Sequence, residues 1–117
     1  MNILYVENHS VFAATVIRQF LSQHLVTLVP SKSAALLAMK SEKFDLLLVD
    51  FDLDDGKGNE LVTMLRQAGN NTPIIGVSSH DDGNAALLKA GATAVCCKMQ
   101  FDEIQAVMDS ILDGKKS

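Results

Sequence analysis

The sequence predicts a parallel α/β sheet covered by helices on both faces, and three observations predict it. Five short apolar runs rich in β-branched residues alternate with stretches of helical period along the 117 residues. The runs are apolar at nearly every position rather than every second one, as in strands buried on both faces. Acids, hydroxyls and one lysine follow the carboxyl ends of those runs, where open α/β sheets bind ligands. With 48% hydrophobic and 21% charged residues the chain is not a disordered one. Its length is that of a single domain, enough to bury one core.

The elements follow in order. Ile3 to Val6 is the first strand. Ala13, Val16, Ile17 and Phe20 then recur at i, i+3, i+4 and i+7, which predicts a helix with Ser10 as its N-cap. Leu25 to Val29 is the second strand, and the Ala/Leu-rich stretch from Ser33 to Met39 a short second helix. Leu46 to Val49 is the third strand. Leu61, Met64, Leu65 and Ala68 repeat the helical spacing, with Gly69 placed to close that helix. Pro73 opens the fourth strand, Ile74 to Val77, where its missing N–H costs least. Asn84 to Ala90 reads as the fourth helix, closed by Gly91, and Ala94 to Cys97 as the fifth strand. Ile104, Val107, Met108 and Ile111 mark the fifth helix. Residues 1–113 form the expected domain and 114–117 a frayed polar tail. Right-handed crossovers between five such strands give the flavodoxin-like doubly wound order 2-1-3-4-5 with five helices.

Charge and cysteine content narrow the function classes. The net charge of −4 and the pI near 5.2 argue against direct binding of nucleic acid. No apolar run approaches the length of a membrane span. No charged segment and apolar core open the chain, so no secretory leader is expected and the cytoplasm is the default. Cys96 and Cys97 are adjacent and on opposite faces of a strand, which excludes a disulfide framework. No further ligands stand nearby at zinc spacing, so they read as two small thiols.

The strand ends carry the chemistry. The first strand leads into Glu7-Asn8-His9, the third into Asp50-Phe51-Asp52, the fourth into Ser78-Ser79-His80 and the fifth into Lys98. Adjacent strands 1 and 3 bring Glu7 and Asp50 together, and clustered carboxylates repel unless a cation joins them. A hard divalent ion such as Mg²⁺ suits a small set of oxygens that leaves room for water and a phosphate. A carboxylate beside it can attack a phosphoryl group, while a hydroxyl and an ammonium hold the phosphoryl oxygens. Other features read as ordinary structure. His9 and His80 are exposed loop residues, Asp54-Asp55 and Asp81-Asp82 are solvated acids, and Tyr5 belongs to the core. Gly56-Lys57-Gly58 lacks the spacing of a phosphate-binding P-loop and reads as a turn. An FMN-binding protein of this topology would need a hydroxyl-rich first loop, and the acidic one here repels a phosphate.

Taken together and in order, these segments resemble a response-regulator receiver domain of two-component signalling. The residues that carry the likeness are Glu7-Asn8, the block Phe44 to Asp50 and its loop to Gly58, Glu60-Leu61, Pro73 to Ser79, and Gly91-Ala92-Thr93 leading to Lys98. The resemblance implies that Asp50 is the phosphoacceptor, served by a histidine kinase or phosphotransfer protein. It implies that Glu7 reaches Mg²⁺ through water, that the Asp52 carbonyl completes the ion's shell, and that Ser78 and Lys98 bind the phosphoryl oxygens. It also implies a partner face near Leu87 to Val95 and Gln105 to Ser110. The chain ends after the fifth helix, so signalling is expected through a downstream protein partner or an output domain outside it.

Three positions depart from the pattern. Asn8 stands where receivers carry a second acid that binds Mg²⁺ directly, so weaker Mg²⁺ binding is expected. Val95 replaces the aromatic residue that swings inward on activation. Met99 replaces the proline after the lysine; a cis bond before Met would cost roughly 2.5–4 kcal/mol, so a trans bond is expected. Asp54 also takes a position where proline is frequent. These departures motivate the alternative of a pseudo-receiver, a phosphorylation-independent protein-interaction module.

Overall fold

The computed structural model describes residues 1–116, with side chains as far as Leu112. Five parallel strands, β1 (Asn2–Val6), β2 (Leu25–Val29), β3 (Leu46–Asp50), β4 (Ile74–Ser78) and β5 (Ala94–Cys97), form one sheet in the order β2-β1-β3-β4-β5. The helices are α1 (Ser10–Phe20), α2 (Lys32–Ser41), α3 (Gly58–Gln67), α4 (Asp81–Ala90) and α5 (Ile104–Lys116). This is the doubly wound arrangement expected of the sequence. The polar tail expected over 114–117 lies outside the residues whose side chains are described. Among the described residues no helix is long and apolar enough to cross a membrane.

Strand alternation divides the core in two. Ile3, Tyr5, Leu46, Leu48, Ile75, Val77 and Cys96 face α1 and α5, where Ala13, Val16, Ile104 and Met108 bury them. Leu4, Val6, Leu47, Val49 and Ile74 face α2, α3 and α4, and meet Ala35, Leu61, Val62, Leu65 and Leu87. Burying side chains of this size contributes roughly 1.5–3 kcal/mol each, an upper estimate against a compact unfolded chain. The two windings reverse between β1 and β3, which pair in parallel from Ile3–Leu46 to Val6–Val49. The crevice beyond their carboxyl ends is therefore the switch point, and Glu7 and Asp50 stand at it.

Local chemistry corrects several boundaries. Helix α1 begins at Ser10 itself, and its cap position is His9, with no side-chain cap. The Glu7 carboxylate accepts the His9 N–H instead, at 3.2 Å. Helix α2 starts at Lys32 because Ser31 Oγ accepts the Ala34 N–H at 3.1 Å. On α3 the buried residues are Leu61, Val62 and Leu65, whereas Met64 and Ala68, expected on the apolar stripe, face solvent. Gly69 closes α3 with φ +79°, while the Asn70 N–H reaches the Leu65 carbonyl at 2.9 Å. Leu87 is fully buried, which takes it off the expected partner face, and Leu88 is the exposed neighbour. The Lys98–Met99 peptide is trans, as expected.

Candidate functional site

Strands β1, β3 and β5 each end by delivering one polar side chain to the same rim. Continuing the parity of the buried residues, Glu7 follows Ile3 and Tyr5, Asp50 follows Leu46 and Leu48, and Lys98 follows Cys96. All three thus fall on the α1/α5 side. Glu7 is 1% exposed and Asp50 4%. The Lys98 ammonium lies 2.7 Å from Glu7 Oε1 and 3.0 Å from Asp50 Oδ1. The approach to Glu7 lies off the line that a hydrogen bond prefers, so this contact is chiefly ionic. Lys98 also sits over the Phe12 ring, 5.1 Å from its centroid.

Two acids share one cation in a dry setting. Burial pushes the Asp50 carboxyl up to about 7, the neighbouring Glu7 carboxyl adds to the rise, and Lys98 pulls against both. A carboxylate so placed gains from a second cation. Among the described residues no three His, Cys, Asp or Glu side chains gather as metal ligands; the third group here is an amide. Asn8 Oδ1 is buried without a hydrogen-bond partner. An acceptor left in that state costs on the order of 1–3 kcal/mol, and a hard cation beside Asp50 would satisfy it. Asn8, Ser79, Lys98, Phe12 and Met99 line an open cleft of about 650 Å³. The donor set of two carboxylates and an amide oxygen therefore fits Mg²⁺ with water in its remaining positions.

Asp52 and Ser78 lie apart from this trio. The Asp52 side chain turns outward and pairs with Lys57 across a two-residue ladder, Asp52–Leu53 against Gly56–Lys57. Its carboxylate therefore does not make good the charge missing at Asn8. Ser78 is buried, and its hydroxyl accepts the His80 N–H at 3.1 Å on the α4 side. The carrier loop after Asp50 is tied down elsewhere: Asp55 accepts N–H groups of Lys32 and Ser33 at 2.8 and 3.0 Å. Gly58 begins α3 so close to the strand end that a Cβ would lie 1.9 Å from the Asp50 carbonyl oxygen.

The family model for the response regulator receiver domain matches residues 3–109. The chain belongs to the response regulator receiver domain family. The receiver fold is similar to that of a two-component response regulator from Clostridium difficile, at 21% identity and a TM-score of 0.87, over 100% of this chain and 99% of that one. It is similar to the Francisella response regulator 1452 receiver domain, at 22% identity and a TM-score of 0.84, over 99% and 98%. It is also similar to the response regulator TrrA from Thermotoga maritima in complex with Mg(2+)-BeF, at 18% identity and a TM-score of 0.83, over 93% and 96%. A comparison with curated proteins finds no match.

Two side chains beside the site carry polar detail beyond the sequence reading. Tyr5, expected in the core, is fully buried there, yet its hydroxyl has no partner and burial, then Glu7 and Asp50, push its ionisation upward. Asn84 is 7% exposed and both of its amide groups bond Ser78. Tyr5 shares the parity of Glu7 in one strand, a signal that was legible. Asn84 gave none, because its partner is a backbone.

Proposed function

We propose that this receiver domain accepts a phosphoryl group on Asp50 with Mg²⁺ bound, and signals by presenting the modified surface to a protein partner. The observation that carries this is the buried pair Asp50–Lys98 beside Glu7, with the unpartnered Asn8 oxygen at the same rim. Asn8, Asp50 and the Asp52 backbone would hold the ion, with Glu7 behind them. When bound, Mg²⁺ supplies charge neutralisation for the phosphoryl oxygens.

The chain's own residues do the rest. An Asp50 oxygen attacks phosphorus; the new P–O bond forms as the bond to the donor's histidine nitrogen breaks, the P–N electron pair staying on that nitrogen, and the imidazole, protonated on its other ring nitrogen, leaves neutral. Lys98, already 3.0 Å from Asp50, stays with the charge as it spreads onto the phosphoryl group. The Ser78 hydroxyl leaves the His80 N–H and turns to a phosphoryl oxygen. The donor is a histidine kinase or phosphotransfer protein, the setting the cytoplasm, and the reader a downstream protein or output domain rather than nucleic acid.

Asn8 leaves the ion one negative charge short, so loading needs more Mg²⁺ than a three-acid site would. Borohydride reduction after exposure to a small acyl phosphate tests the assignment, because an aspartyl phosphate is converted to homoserine. Homoserine at position 50 in the peptide map supports the reading. An unmodified Asp50 under Mg²⁺ saturation rejects it and favours the pseudo-receiver that Asn8, Val95 and Met99 motivate.

A further inference from the structure

We infer that Asn84 is a positioning residue for the Ser78 hydroxyl, its buried amide holding the Ser78 peptide still so that only the side chain has to turn toward Asp50. The inference rests on the phosphoacceptor reading above. Asn84 lies in the first turn of α4. Its Oδ1 accepts the Ser78 N–H at 3.0 Å and its Nδ2 donates to the Ser78 carbonyl at 3.2 Å. Both functional groups of one buried side chain are thus spent on one residue's backbone, at the position where β4 ends.

The neighbouring residues leave Ser78 little room to shift. At Gly83, one residue before Asn84, a Cβ would lie 2.4 Å from Ser78 Oγ and 3.2 Å from Phe51 Cβ. Only glycine lets the helix approach this closely. The Ser78 hydroxyl holds one hydrogen bond, to the N–H of exposed His80. Water can take over that N–H when the hydroxyl leaves, so rotation gives up little. Seating α4 does not require the amide, because Leu87 already packs onto Gly76, where a Cβ would meet it at 2.8 Å. With Val95 in β5 in place of an aromatic side chain, the Ser78 peptide is the fixed point from which the hydroxyl moves.

Beryllofluoride with Mg²⁺, a mimic of the bound phosphoryl group, separates positioning from packing. Ser78 would touch the phosphoryl group and not the ion. Asn84→Ala is expected to weaken beryllofluoride binding by about tenfold, the worth of one hydrogen bond to a charged group. Its affinity for Mg²⁺ alone should stay within about twofold of the wild type's, on the same scale. In a double-mutant cycle, Asn84→Ala added to Ser78→Ala should cause no further loss. Asn84→Asp, which keeps the acceptor for the Ser78 N–H, should fall between, and it carries the test if the alanine variant does not fold. Unchanged beryllofluoride affinity in either folded variant overturns the inference, as does full additivity with Ser78→Ala. If the wild type binds neither Mg²⁺ nor beryllofluoride, the phosphoacceptor reading itself has failed.

Discussion

Lys98 Nζ lies 3.0 Å from Asp50 Oδ1, and both side chains are largely buried. The same ammonium is 2.7 Å from Glu7, so one cation holds two acids together in a setting that water barely reaches. Removing it leaves two buried carboxylates facing each other. Lys98→Met should destabilise the metal-free protein by about 3–5 kcal/mol near neutral pH, the usual cost of breaking a buried pair from one side. Urea unfolding checks this. The loss should shrink at pH 5, where Asp50 can take up a proton.

The Asp50 carboxyl gives stability a pH dependence of known sign. Its folded value is raised from 3.8 to about 7, by burial first and by Glu7 next. Between those values the folded state binds the proton more tightly than the unfolded chain. Its contribution to the stability of the metal-free protein should therefore be greatest below pH 4, fall as pH rises, and be lost above pH 7. The change is on the order of a few kcal/mol, at about 1.4 kcal/mol per pH unit for one group. Asp50→Asn should flatten this part of the profile and be the more stable protein at pH 8. Chemical denaturation across pH, with chelator present, measures both.

Tyr5 is the only tyrosine in the chain, and its hydroxyl is buried without a partner. Tyr5→Phe keeps the ring against Phe101, 6.2 Å away between centroids, and removes the unsatisfied group. It should raise stability by about 1 kcal/mol. Burial, then the charges of Glu7 and Asp50, push the phenol's ionisation up, so alkaline titration of the native protein should show no tyrosinate absorbance before unfolding.

Two glycine substitutions should differ for physical reasons. Gly58→Ala places a Cβ against the Asp50 carbonyl, and neither backbone can yield without moving the acceptor strand. A loss of about 3 kcal/mol is expected, in the range of severe overpacking. At Gly69 nothing lies near the added methyl, but φ is +79°, so Gly69→Ala should cost only about 1 kcal/mol of backbone strain. Thermal melts of the two variants decide the order.

Most of the fold was legible because both signals were strong. The strands are buried on both sides, so their composition alone marks them, and α1 and α5 carry unbroken helical stripes. The errors fell where a neighbour outside the local sequence decides the outcome. Ser10 reads as a cap, yet the Glu7 carboxylate takes the N–H ahead of the helix. Met64 and Ala68 have the right spacing, yet α3 turns Val62 to the core instead. In the site, the strand-end rule gathered Glu7, Asp50 and Lys98 correctly. Nothing local showed that Lys57 draws the Asp52 carboxylate outward, or that Asn84 grips Ser78, since both depend on how a loop and a helix return to the sheet.

Intact-mass spectrometry with a small acyl-phosphate donor tests the central claim most directly. The samples are wild type with Mg²⁺, wild type with chelator, and Asp50→Asn with Mg²⁺. One added phosphoryl group in the first sample alone is the predicted result. It would show that Asn8 suffices as an ion ligand and that Asp50 accepts the group. No adduct in any sample, or an equal adduct on Asp50→Asn, would contradict the account.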